Sequence, residues 1–184
     1  MDDYSDHLAR LRDGVNNTYS VTNLAPWIEK YTYLDGRRFS FKDHEFQRTI
    51  IEDTAKTSIV IKCAQVGLSE VLYRYAVAAC ITQDDFTVIY TFPSATDAET
   101  NNRTRIDPMI EGSPEVLRMV NPNMNNSTVK QFGRNSFLFF KGTFSSTAGI
   151  SLPASAVISD EYDKSDITAA SDIVTGKQIG RAHV

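Results

Sequence analysis

The chain has 184 residues, 41% hydrophobic and 23% charged, with a formal net charge of −4. That is enough for one domain with its own core, and the acidic balance excludes a globally basic nucleic-acid binder, so any contact with DNA must come from a local patch. No apolar run approaches a bilayer span, the Met1-Asp2-Asp3 start is unlike a signal peptide, and Cys63 and Cys80 have neither metal-ligand spacing nor a disulfide framework. An intracellular protein with no membrane association is expected.

In chain order, residues 1–22 are polar and read as an N-terminal arm, and 23–178 as a single domain. Leu24–Tyr33 predicts a helix with Pro26 in its first turn. Asp43 is placed as the cap of a helix over Glu45–Thr54, with Phe46, Ile50 and Ile51 as its apolar positions. The β-branched run Ser58-Ile59-Val60-Ile61 predicts a strand over Ile59–Lys62, followed by a tight turn and a helix over Glu70–Ile81. Thr87–Phe92 predicts a second strand, and Ser94 the cap of a helix running to about Arg105. Thr128–Phe132 and Ser136–Lys141 predict a hairpin turned by Gly133-Arg134-Asn135, and Ala156–Ser159 a short strand. Strands alternating with helices imply an α/β domain with a mostly parallel sheet flanked by helices. Ile179–Val184 can be encoded by a common sequencing adapter read in frame to its stop. These six residues are expected to be a non-native tail, with the natural coding sequence interrupted near Lys177 and the domain incomplete at its C-terminus.

Three constellations carry chemistry. Lys62-Cys63-Ala64-Gln65-Val66-Gly67-Leu68-Ser69 has the strand–turn–helix setting of a phosphate-binding loop, in which backbone N–H groups cradle phosphate and a hydroxyl holds Mg²⁺. Against the pattern G-x-x-x-x-G-K-[ST], Gly67 and Ser69 are in register, Leu68 stands in the lysine position, and Lys62 stands where the first glycine would be. Taken alone, this segment reads more readily as an ordinary strand-to-helix turn than as a phosphate loop; the carboxylates downstream change that balance. Ser155–Glu161 delivers two adjacent carboxylates, Asp160 and Glu161, at the end of an apolar strand; with an upstream phosphate loop, the first would orient Mg²⁺ and the second would polarise the attacking water. Both would lie at C-terminal ends of parallel strands and so converge on one crevice. Upstream, the Gln47 amide can pair with adenine while Phe46 packs nearby, although the segment reads equally as the polar face of an amphipathic helix.

Taken with APWIEKY, HEFQR, IKCAQVGLSE, TFPSATDAE, RIDPMI followed by SPEVL, and VISDEYD, the chain resembles the N-terminal ATPase domain of tailed-bacteriophage terminase large subunits, especially the lambda-like branch. That branch has a deviant phosphate loop with lysine at its start. The resemblance implies a P-loop ATPase motor that hydrolyses ATP with Mg²⁺ to package viral DNA in the host cytoplasm. Its implied partners are double-stranded DNA, the terminase small subunit, the portal and procapsid, and further copies of itself. Carried over by position, Lys62 would contact phosphate, Ser69 and Asp160 would bind Mg²⁺, and Glu161 would be the catalytic carboxylate. Ala64, Gln65, Val66, Gly67 and Leu68 would line the nucleotide, and Gln47 with Phe46 would read adenine. The coupling motif and nuclease domain of such terminases are expected to be absent. A helicase-like DNA-dependent ATPase and a non-hydrolysing nucleotide-binding or assembly module remain the alternatives. Arg103, Arg105 and Arg134 are candidates for a transition-state arginine, none singled out, and Lys130, Arg134 and Lys141 could form a basic hairpin on DNA phosphate.

Overall fold

The computed structural model describes residues 23–144 and 153–169, so the arm over 1–22 and the tail over 179–184 lie outside the described residues. Five strands form one mixed sheet. They are β3 (Thr87–Phe92), β4 (Val120–Asn125), β5 (Val129–Phe132), β6 (Ser136–Gly142) and β7 (Ala156–Ser159), in the order β4-β5-β6-β3-β7. A separate two-stranded ribbon pairs β1 (Tyr33–Leu34) with β2 (Arg37–Arg38). The β-branched and aromatic sequence of β3 suits a central strand, and β3 pairs in parallel with β6 on one side and β7 on the other. The predicted hairpin forms as β5 and β6, antiparallel, and β4 extends it.

Alternation along β3 sorts the two faces of the sheet. Val88, Tyr90 and Phe92 join Phe132, Leu138 and Phe140 in the main core, which the helices cover. Ile89, on the other face, has only Phe139 and Val157 in its cluster. The helices are α1 (Ala25–Tyr31), α2 (Glu45–Ile51), α3 (Leu68–Thr82), α4 (Ala95–Asn101), α5 (Asp107–Glu111) and α6 (Pro114–Leu117). In α3, Val71, Tyr73, Ala76, Val77 and Cys80 are buried against the sheet core. Ser94 caps α4 as expected, in a full capping box: its hydroxyl accepts from Asp97 N and the Asp97 carboxylate accepts from Ser94 N. A π-turn over Asn102–Ile106 joins α4 to α5. Gly142 lets β6 pass under this helix start, since a Cβ there would lie 2.1 Å from Ala95 N.

Two expectations are corrected. Asp43 does not cap α2; His44 occupies that position, and Asp43 lies in the left-handed region at φ 67°. Ile59–Lys62 is not a strand. Its residues pair with no neighbour, and Ile59 and Ile61 are 87% and 97% exposed. A β-branched sequence becomes a strand only when a second backbone satisfies its N–H and C=O groups. β3 is already flanked on both sides, and among the described residues nothing pairs with the outer edge of β7. The sheet is mixed because β4 and β5 run antiparallel to their neighbours.

Candidate nucleotide site

The loop after Ile59–Lys62 turns through two left-handed residues, Gln65 (φ 61°) and Gly67 (φ 71°), and Gly67 is the N-cap of α3. Gln47, buried on α2, donates its amide to Val66 O at 2.8 Å and sits where a Cβ on residue 67 would come within 2.9 Å of Nε2. Glycine at 67 therefore serves both the backbone twist and this close approach. Gln47 thus ties the loop to α2, while its neighbour Phe46 is half exposed. Leu68 is one of the buried apolar side chains. Lys62 is exposed and unpaired among the described residues, and Ala64 is exposed in the turn. The free N–H groups of the first turn of α3, with the positive end of its dipole, favour an anion.

Asp160 follows β7 and is buried. Its Oδ2 accepts from Tyr90 Oη at 3.2 Å, and its Oδ1 accepts from Glu161 N at 3.0 Å. Register explains the first bond. Tyr90 faces Ile158 across the parallel ladder, and Asp160 lies two residues beyond Ile158 on the same face. Burial, together with the neighbouring Asp160 carboxylate, pushes the Tyr90 hydroxyl well above its ordinary pKa and keeps it a neutral donor. The sequence reading missed Tyr90; the available signal was a polar-tipped aromatic in the middle of a buried central strand. Glu161 steps into the left-handed region (φ 51°) and is half exposed, with Lys164 Nζ 3.1 Å from its Oε2. A non-glycine residue held there stores local strain, which commonly accompanies active sites.

The loop and the carboxylates meet through tyrosines. Tyr73, one helical turn after Ser69 on the same face of α3, packs on Tyr90 with ring centroids 5.2 Å apart. Burial, and after it the charge of Asp160, raises the Tyr73 hydroxyl; Glu70 and Glu161 act in the same direction and Arg105 opposes them. Asp160 and Glu161 thus lie close to Tyr73, which stands one helical turn after Ser69 in α3. The ATPase-domain model of the phage terminase large subunit gpA matches residues 39–175. The chain belongs to this family. No curated protein and no solved structure matches it significantly.

The terminase ATPase domain withdraws Lys130 from the expected basic hairpin, while Arg134 stays exposed in its turn. Lys130 is buried, with Nζ 2.6 Å from Asp107 Oδ1 and 2.7 Å from Asn125 Oδ1. It shares a face with the core residue Phe132, so it points at the helices and away from solvent. Arg103 pairs with Glu99 at 2.7 Å on the surface, and Arg105 with Glu70 at 3.1 Å. The Tyr90–Asp160 bond yields a direct expectation. Tyr90→Phe removes a donor to a buried carboxylate, so it lowers ATP turnover by about tenfold and stability by about 1–2 kcal/mol, readable by steady-state kinetics and urea denaturation. Unchanged turnover would show that Asp160 needs no positioning by Tyr90.

Proposed function

We propose that Lys62, Ser69, Asp160 and Glu161 form the ATP site of this terminase ATPase domain, with Lys62 in place of the usual phosphate-loop lysine. The observation that carries the reading is the joining of the helix after the loop to the Asp160-Glu161 pair through Tyr73 and Tyr90. Lys62 stands exposed at the entrance to the loop as a phosphate contact, while buried Leu68 has no room for a charge. Backbone N–H groups from the turn over Ala64, Gln65, Val66 and Gly67 into Leu68 and Ser69 supply the anion cradle. Phe46 offers an exposed ring for adenine; Gln47 contributes through the loop it holds, with its carbonyl as the remaining acceptor.

The donor set fits Mg²⁺. Each Asp160 oxygen accepts one hydrogen bond and keeps a lone pair, Ser69 supplies a hydroxyl, and Mg²⁺ retains waters beside phosphate oxygens instead of demanding an all-protein cage. Among the described residues, no group of three or more His, Cys, Asp or Glu side chains is arranged so that it could hold a metal ion by itself. When bound, Mg²⁺ would neutralise charge on the terminal phosphates. Asp160 orients that end of the nucleotide, and Glu161 accepts the proton of the attacking water on Oε1, the carboxylate oxygen that Lys164 does not engage. The energy released would drive double-stranded DNA past a ring of such subunits, working with the small subunit and portal in the host cytoplasm. This wider setting rests on family membership. No described helix is long and apolar enough to cross a membrane.

Cys63 gives the test. It is exposed within the loop, whereas Cys80 is buried and its thiol pushed well up by burial. At neutral pH one thiol, Cys63, reacts quickly in the native chain, and Mg²⁺ with ATP slows it by about tenfold or more. A thiol-reactive dye with peptide mapping reads both rates. Equal rates with and without nucleotide would remove the loop from the site.

A further inference from the structure

We propose that Arg105 senses the terminal phosphate, exchanging its partner Glu70 for that phosphate when ATP binds. The inference rests on the ATP-site reading above and adds a residue to it. Glu70 follows Ser69 in the first turn of α3, and its carboxylate is divided between two arginines. Oε2 is 2.8 Å from Arg74 NH1, and Oε1 is 3.1 Å from Arg105 NH1. The two arginines differ in mobility. Arg74 is buried and tied to Glu70 O and Tyr33 O as well, so it cannot leave. The Arg105 side chain is 53% exposed, with Glu70 as its ion-pair partner. When Arg105 departs, Glu70 keeps Arg74 and is not stranded.

Charge gives the reason to move. Three carboxylates, Glu70, Asp160 and Glu161, surround the start of α3, and a nucleotide triphosphate adds several more negative charges. Leu68 brings none to balance them, Lys164 is committed to Glu161, and Arg74 is locked. Lys62 and Arg105 are the remaining mobile cations described there. Arg105 stands on the π-turn, a local irregularity that often marks functional sites, while Arg103 on the same turn pairs with Glu99. A planar guanidinium matches phosphate oxygens in two-point contacts that lysine cannot reproduce.

Titration of the 184-residue chain with fluorescent ADP and a fluorescent non-hydrolysable ATP analogue, both with Mg²⁺, tests this. Arg105→Ala weakens the ATP analogue by about tenfold or more and leaves ADP within about twofold; Arg105→Lys recovers only part of the loss. Arg103→Ala changes neither. Equal weakening of both nucleotides by Arg105→Ala, no change in either, or the same loss from Arg103→Ala would overturn the role of Arg105 while leaving the ATP site standing. Binding of neither nucleotide by the parent chain would overturn the site and this proposal together.

Discussion

Glu161→Gln is expected to leave ATP affinity within about threefold and to lower turnover by ~10²–10⁴-fold. The amide keeps the size and hydrogen-bonding shape of the carboxylate but cannot take a proton from water. The local backbone survives because the fold uses the main chain of this residue: Glu161 N donates to Asp160 Oδ1, and its carbonyl accepts from Lys164 N. The side chain is half exposed and its one partner among the described residues is Lys164, so neutralising it strands no buried charge. Stability should therefore stay within about 0.5 kcal/mol of the parent. Single-turnover kinetics in parallel with nucleotide titration separate the two effects. Turnover within threefold of the parent would assign the proton transfer to another group.

Arg74→Met should have the largest effect on folding, about 3 kcal/mol. The guanidinium is buried in α3, with NH1 2.8 Å from Glu70 O, NH2 2.9 Å from Tyr33 O, and its carbon 4.5 Å from the centre of the Phe39 ring. Burial lowers its pKa; the hydrogen bond and charge of Glu70 work against this and keep it protonated. Methionine fills much of the space but takes the guanidinium's hydrogen bonds from Tyr33 O, Glu70 O and Glu70 Oε2. Glu70 is partly exposed and retains Arg105, so the loss falls at the lower end for a broken buried pair. A urea midpoint shift at constant slope would show it, and a loss under about 1 kcal/mol would mean that the β1–β2 ribbon is held by apolar packing alone.

What the sequence disclosed and what it hid divides by the distance over which each feature is decided. The capping box at Ser94 and Asp97 is a contact three residues long, and it formed as read. Thr87–Phe92 and Ala156–Ser159 are strands because neighbours complete them; Ile59–Lys62 carries as strong a β-branched signal and has no partner. The Tyr90–Asp160 bond spans 70 residues and depends on the register of β3 with β7, which composition cannot set. Lys130 was legible in principle, since it shares a face with Phe132, but a lysine two residues from a core position reads as surface until Asp107 is found opposite it. Leu68 is the instructive case. As a failed motif position it counts against a phosphate loop, and its burial could not be read from the sequence; in the proposed ATP site the charge falls to Lys62.

The displaced lysine is therefore the point on which the nucleotide site turns. The most direct measurement is equilibrium titration of the chain with a fluorescent ATP analogue in Mg²⁺, beside Lys62→Ala. The expected result is Mg²⁺-dependent binding that Lys62→Ala weakens by about 10–100-fold, as befits a lost charge-assisted phosphate contact, with no change in the unfolding midpoint because Lys62 is exposed. Binding that is unaffected by Lys62→Ala would contradict the assignment of this loop as the phosphate site.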